Sequence, residues 1–361
     1  MIRTFCYPLR PTKVQEATFN VWLGACQQLY NGALQHRSDA WSKRRVSITR
    51  ISQQKELTEL RASDPEWAAI PVEVERSALT RIDRSFKSFF RRVKDGQTPG
   101  YPRFRSRDRY NSFELGSWIP RVDGDRLNVP KLGMVKFHKY RELRGTVKLV
   151  RIGRSAHGWY VSFVCDLGEA LTKIPVRSTV GVDVGLEVFA TLSTGERVEN
   201  PRFLRASEEV LARRQRSLAR KRRGSNSRRE AKRLVARVHE HIRNQRLNFA
   251  RKLACDLFSR FDLVAHEDLE IARMVRGNLA KSIHDAAWGQ FLRALRDKAE
   301  SAGRWCVPVD PRGTSQRCSG CGRTVVKDLS EREHRCDDCG LVLHRDENAA
   351  LNIEALGLSV G

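Results

Sequence analysis

The apolar positions change period along the chain, and each change marks an element. Residues 1–10 alternate, with Ile2, Thr4 and Cys6 set against Arg3, Phe5 and Tyr7, and Pro8 and Pro11 close the run. That period of two predicts a short strand detached from the rest of its sheet. The period then turns helical. Val14, Ala17, Phe19, Val21, Trp22, Ala25, Leu29 and Ala33 predict a helix over 12–37, which Thr12 can cap. A second helix is expected at Ser52–Leu60, ending before Pro65. A third is expected over 72–94, with Val74, Ala78, Ile82, Phe86, Phe89 and Phe90 inward. Its outward face is basic: Arg76, Arg81, Arg84, Lys87, Arg91, Arg92 and Lys94.

From Gly96 the pattern breaks. Pro99, Gly100 and Pro102 forbid a helix, and Arg103, Arg105, Arg107 and Arg109 alternate with their neighbours. An extended basic strand is expected there, with Tyr101, Phe104, Tyr110 and Phe113 interleaved. Such a strand can set charge on a nucleic-acid backbone and rings on bases, or it can be a sheet edge with solvated arginines. Short apolar runs follow at Ser112–Trp118, Arg126–Val129, Met134–Phe137, Gly145–Ile152 and Trp159–Asp166, separated by turn signals such as Asp123-Gly124. They predict a small β-barrel or sandwich. The strand at 1–10 would complete it, making the helical lobe an insertion.

After a linker at Thr172–Ser178 the second half opens with TVGVDVGL, a buried strand. Val180, Val182 and Val184 point one way, while Gly181, Asp183 and Gly185 point the other. Further strands are expected at Val188–Leu192, just after Gly195, at 260–265 and at Arg304–Val309. Two basic helices joined at Gly224–Ser227, a helix over Asp285–Ala302 and a final helix over Asp346–Leu356 complete the order. Strand, strand, strand, helix, strand, helix is the order of a ribonuclease-H-like α/β core.

Charge changes the picture next. The 361 residues carry 67 Lys+Arg against 42 Asp+Glu, a formal +25. Residues 205–252 alone hold 17 basic and 4 acidic side chains, with Arg222, Arg223, Arg228 and Arg229 around the expected helical break. That density repels itself unless an anion neutralises it, so a nucleic-acid partner is favoured over a membrane surface. No apolar run is long enough to span a bilayer, and MIRTFCYPLR lacks the apolar core of a signal peptide. Nine cysteines include Cys318-x-x-Cys321 and Cys336-x-x-Cys339, each pair followed by glycine. Four thiolates suit one tetrahedral, closed, structural zinc. The other five (Cys6, Cys26, Cys165, Cys255, Cys306) are scattered and odd in number, which reads as packed thiols in a reducing compartment.

A closed zinc site leaves catalysis to other groups. Asp183 lies in a strand, Glu267 at the end of a later strand and Asp346 at the head of the last helix. Three converging carboxylates are what two Mg²⁺ ions need to hydrolyse a phosphodiester. From spacing alone Asp268 and Asp310 compete with Glu267, Glu347 competes with Asp346, and Asp346 could simply cap its helix.

The segments VGVDVGLEVFATLSTG, VAHEDLEIARMVR, DPRGTSQRCSGCG and RCDDCGLVLHRDENAALNIEALG resemble, in this order, those of the transposon-encoded TnpB (OrfB) family, relatives of the type V CRISPR effectors. FFRRVKDGQTPGYPRFRSRDRY is similar to that family's junction before its barrel. The resemblance implies a RuvC-like nuclease with Asp183, Glu267 and Asp346 as its Mg²⁺-binding acids, and a zinc ribbon on Cys318, Cys321, Cys336 and Cys339. His344 departs from the family's pattern, where an aspartate is expected. The implied activity is RNA-guided cleavage of double-stranded DNA beside a short motif, with the guide RNA drawn from the transposon end. Delegation of sequence reading to a guide also fits the lack of any obvious sequence-reading helix-turn-helix in the chain.

The expected architecture is therefore an α+β multidomain protein. A wedge-like β-barrel takes 1–10 and 96–171, a helical recognition lobe takes 11–95, the RuvC-like domain takes 179–312 and 344–361, and the ribbon takes 313–343. Arg76, Arg84, Lys87, Arg91, Arg103, Arg105 and Arg107 join the four arginines of 222–229 as candidate nucleic-acid contacts. A monomer in a bacterial or archaeal cytoplasm, associated with the nucleoid, is expected. The alternatives are a guide-directed DNA-binding repressor that does not cut and a guide-independent DDE-like transposase.

Overall fold

The computed structural model describes residues 1–116, 119–168, 171–328 and 331–360. It divides into two compact units, 1–168 and 169–361.

In the first unit the opening strand β1 (Ile2–Arg10) is followed by helices α1 (Lys13–Arg44), α2 (Arg50–Ser63), α3 (Pro65–Ala69) and α4 (Val72–Lys94). Thr12 caps α1 as its sequence suggests. Its hydroxyl accepts from the Gln15 backbone at 3.3 Å, and the Gln15 side chain accepts from the Thr12 backbone at 3.0 Å. Strands β2 (Ser112–Leu115), β3 (Val122–Asp123), β4 (Arg126–Val129), β5 (Gly133–Phe137), β6 (Thr146–Ser155) and β7 (Gly158–Asp166) then form one antiparallel sheet with β1, in the order β2-β6-β7-β1-β5-β4-β3. The end of the run expected at Ser112–Trp118 lies outside the described residues.

The expected barrel is not there. Among the described residues the end strands β2 and β3 do not pair, so the sheet is open. Its apolar face is covered by helix instead of by a closing strand. Phe19 and Trp22 of α1 meet Phe113 of β2 at 5.8 Å between ring centroids, and Phe19 meets Trp159 of β7 at 5.0 Å. Helices and sheet share one core, in which Phe19, Leu79, Ile82, Phe113, Phe137 and Phe163 are fully buried. Closure would compete with these helices for the same apolar surface.

The expected basic strand after Gly96 is also absent. Residues 96–111 hold one 3-10 turn, Arg107–Arg109, and no strand. Asn31 of α1 substitutes for a ladder partner, accepting from the Arg105 N–H at 2.9 Å and donating to its carbonyl at 3.0 Å. Tyr110 and Phe113, expected among bases, are core residues, whereas Tyr101 and Phe104 are exposed.

The second unit is built on a mixed sheet of β8 (Thr179–Val184), β9 (Val188–Leu192), β10 (Arg197–Glu199), β11 (Leu263–Glu267) and β12 (Trp305–Val309), ordered β10-β9-β8-β11-β12. β8, β11 and β12 run parallel, while β9 and β10 are antiparallel to their neighbours. Between β10 and β11 lie α5 (Phe203–Ala219) and the 35-residue α6 (Asn226–Arg260), split where Gly224 takes φ +85° and Ser225 caps. After β11 come α7 (Ile271–Met274), α8 (Ala280–Ala286) and α9 (Trp288–Ala302). The single helix expected from Asp285 breaks at Ala287, which is left-handed at φ +57°. Val180 and Val182 face a core with Leu257, Phe291 and Leu295. The opposite sheet face carries Leu263, Ala265, Val307 and Val309, and packs on Ile353 of α10 (Arg345–Val360). A two-stranded ribbon of β13 (Glu333–Arg335) and β14 (Val342–His344) precedes α10.

Candidate functional site

The alternation in TVGVDV puts Gly181 and Asp183 on the α10 face of the sheet. Gly181 lets the helix lie there, since a Cβ would be driven into the Ala350 carbonyl oxygen and would come within 2.7 Å of the Glu354 nitrogen. On the neighbouring parallel strand Glu267 follows Leu263 and Ala265 on that same face. α10 starts at the ends of these strands, and Asp346 sits in its first turn, where the helix dipole favours a negative charge.

Asp183 feels the other two carboxylates. Burial, then the charges of Glu267 and Asp346, raise the Asp183 carboxyl well above its ordinary 3.8, with Arg345 opposing. Burial raises Glu267 as well, and the Thr314 hydroxyl that donates to it at 2.6 Å opposes the rise. Crowded carboxylates with little compensating charge retain protons or take up a cation. Hard oxygen donors on a shared face fit a magnesium-type ion. Of the competing acids, Asp268 is exposed, and Asp310 is exposed and binds the Arg312 backbone at 3.0 Å. Glu347 lies near Gly195. His344, at the departure from the family pattern, accepts from the Asp346 N–H at 3.2 Å.

Cys318, Cys321, Cys336 and Cys339 bring their sulfurs within 4.8 Å of one another. Among the described residues no other set of three or more His, Cys, Asp or Glu ligand atoms is gathered so tightly. The two knuckles match. Gly322 N–H donates to the Cys318 carbonyl at 2.9 Å and Gly340 N–H to the Cys336 carbonyl at 2.8 Å, with φ +77° and +74° at the glycines. Burial would raise Cys318, but the His334 side chain and the Cys321 and Gly320 backbones beside its sulfur bring it down to about 6. For Cys339 the Leu341 backbone lowers the thiol, yet burial and three neighbouring sulfurs push it up to about 12. Four adjacent thiolates repel unless a cation sits among them, and soft sulfur in this number could hold one metal ion.

The candidate nucleic-acid residues fare differently from one another. Arg84 binds Glu114 at 2.9 Å, Lys87 pairs with Asp83 at 3.1 Å and Arg76 with Glu73 at 3.3 Å. Arg228 closes the α5–α6 turn by donating to the Leu218 and Lys221 carbonyls at 2.9 Å each. Arg91, Arg103, Arg105, Arg107, Arg222, Arg223 and Arg229 are exposed. Near Arg103 and Arg105, Tyr101 stands edge-on to Phe86 and Phe89 at 5.6 and 5.5 Å.

Sequence reading missed Thr314, His334, Asn348 and Asn352. Asn348 and Asn352 are spaced i, i+4 inside an apolar helix stretch, a visible signal of buried polar groups needing partners.

The chain is similar to known proteins in sequence and in fold. A family model described as "Probable transposase" matches residues 162–278, and one described as "Cas12f1-like, TNB domain" matches 288–353. A "Helix-turn-helix domain" model matches 1–45, where the chain forms β1 and the unbroken α1. A "Putative RNA-guided DNA endonuclease" of Streptomyces pristinaespiralis is 32% identical over 99% of this chain and 90% of its own length. A protein of the same description from Escherichia coli K12 is 29% identical, over 99% and 93%. The fold is similar to that of the protein in a Cas12f1–sgRNA–target DNA complex, with TM-score 0.61 and 14% identity over 95% of this chain and 83% of that one. The class is therefore that of RuvC-like nucleases related to type V CRISPR effectors. Within it, the chain belongs to the TnpB/OrfB family.

Proposed function

We propose that this chain is an RNA-guided DNA endonuclease whose cleavage site is formed by Asp183, Glu267 and Asp346. The observation carrying the assignment of the site is the placement of Asp183 and Glu267 on one face of β8 and β11 beside the start of α10, where burial first, and then the charges of Glu267 and Asp346, raise Asp183. These residues would hold Mg²⁺. When bound, the ions supply a water made nucleophilic at neutral pH and stabilise charge on the leaving oxygen. The protein's own part is to fix the carboxylates on a rigid sheet and helix and to keep positive charge nearby. Arg345, 3.3 Å from the Asp346 carboxylate, is placed to do the latter. Cys318, Cys321, Cys336 and Cys339 would hold one structural zinc.

The guide RNA would pair with the target strand, leaving the protein to read backbone shape and a short flanking motif. The formal +25 charge supports binding of a guide–target duplex and a displaced strand. The helices of 11–95 and the open sheet are assigned to the guide and the motif-bearing duplex, and the ribbon of 313–343 to handing single-stranded target to the acids. Among the described residues no helix is long and apolar enough to cross a membrane. The test compares Asp183→Asn with Asp268→Asn in Mg²⁺. Loss of cleavage in the first, retained cleavage in the second and unchanged RNA affinity in both supports the site. Cutting by Asp183→Asn at the wild-type rate refutes it.

A further inference from the structure

We infer that Thr314 is a positioning residue that fixes the Glu267 carboxylate and ties it to the four-cysteine knuckle. The inference rests on the reading of Glu267 as a metal-binding acid.

Thr314 is 4% exposed, and its hydroxyl lies 2.6 Å from Glu267 Oε1 and 3.1 Å from the Pro311 carbonyl. A hydroxyl has one proton, and the shorter contact to a carboxylate takes it. This orients one oxygen of Glu267 and leaves the other for a cation. The Thr314 backbone is itself held. Asn352 Nδ2 donates to the Thr314 carbonyl at 2.8 Å and to the Arg317 carbonyl at 2.6 Å. One helical turn earlier, Asn348 Nδ2 donates to the Arg317 carbonyl at 2.8 Å, and Asn348 Oδ1 accepts from the Ser319 N–H at 2.9 Å. Both asparagines are buried in α10, the helix that begins beside Asp346.

Cys318 lies between the two gripped residues, Arg317 and Ser319. A continuous set of buried and half-buried hydrogen bonds thus runs from Glu267 through Thr314 to Asn352, Asn348 and the first knuckle. It spans 29 to 47 residues of sequence at each link between separate segments. Buried polar groups in such a chain specify one geometry, because leaving any of them unpaired is costly. The ribbon therefore does more than fold. Its anchoring segment sets the direction of an acid on the sheet.

The test uses the full-length, RNA-free chain, with Mn²⁺ binding followed by the loss of its free-ion electron paramagnetic resonance signal. Cleavage is titrated with Mg²⁺ in parallel on the RNA-loaded protein. Thr314→Val, which keeps the shape but not the hydroxyl, should weaken Mn²⁺ binding about 10–100-fold, the usual cost of losing an outer partner of a metal ligand. It should raise the Mg²⁺ needed for half-maximal cleavage by a similar factor, with the maximal rate largely recovered at saturation. Thr314→Ser should stay within about 3-fold of wild type, and zinc content should be unchanged in both. If the valine variant does not fold, Thr314→Ala carries the same expectation. A serine variant as impaired as valine or alanine overturns the inference, as does wild-type Mn²⁺ binding by a hydroxyl-less variant while Glu267→Gln loses it. Wild-type Mn²⁺ binding by Glu267→Gln and Asp183→Asn as well would instead refute the carboxylate site.

Discussion

Single residues decide which charges in this chain serve its own fold and which are left for a partner. Glu114 is the clearest case. Burial would raise its carboxyl, but Arg151 at 2.6 Å and Arg84 at 2.9 Å hold it below the ordinary 4.5. A depressed acid contributes stability that is present above its unfolded value and lost as pH falls through its folded one. Thermal melts of wild type and Glu114→Gln should therefore differ most above pH 4.5 and converge as pH drops below it. A constant gap across that range would mean that the arginines do not stabilise the ionised form. Arg84 looked from the sequence like a residue for phosphates, because its partner lies 30 positions away on β2. Helical periodicity shows which way a side chain faces and gives no information about what another segment brings to meet it. Thr314 was illegible for the same reason: Glu267 is 47 residues from it in sequence.

At the level of elements, the legible features are those with local causes. The α4 boundaries, the Thr12 cap and the two glycine-ended knuckles follow from short-range rules and are present, and the helix break expected at Gly224–Ser227 falls slightly earlier, between Ala219 and Asn226. The valine–glycine alternation around Asp183 is also present, with the valines in one core and Gly181 against α10. The barrel failed because closure depends on what covers the sheet, and Phe19 and Trp22 come from a helix whose apolar face could not be matched to a partner in advance. The basic strand failed because Asn31 supplies both backbone partners that a neighbouring strand would have given Arg105. The α10–β8 contact yields a prediction. Gly181→Ala should force the helix off the strand, cost about 1–3 kcal/mol of stability and displace Asp346. Denaturant unfolding and a Mg²⁺ titration of cleavage check it. A variant as stable and active as wild type would show that this close approach is not needed.

Over the whole molecule, the excess of 25 positive charges sets how the protein meets its partners. Arg103, Arg105 and Arg107 on 96–109, and Arg222, Arg223 and Arg229 around the α5–α6 turn, are exposed. Association with RNA should weaken steeply with salt. Replacing both Arg222 and Arg223 by Ala should lower the magnitude of the log–log salt slope by about 1–2 while leaving the Mg²⁺ requirement of cleavage unchanged. An unaltered slope would place the RNA elsewhere.

The most direct test of the central claim is to sequence the RNA that copurifies with the protein from its native locus. Mg²⁺ and DNA matched to that RNA, with randomised flanks, are then added. The account predicts one defined RNA and double-strand cuts confined to guide-matched DNA beside a fixed short motif. Cutting that ignores the RNA sequence, or no preferred RNA at all, would contradict it.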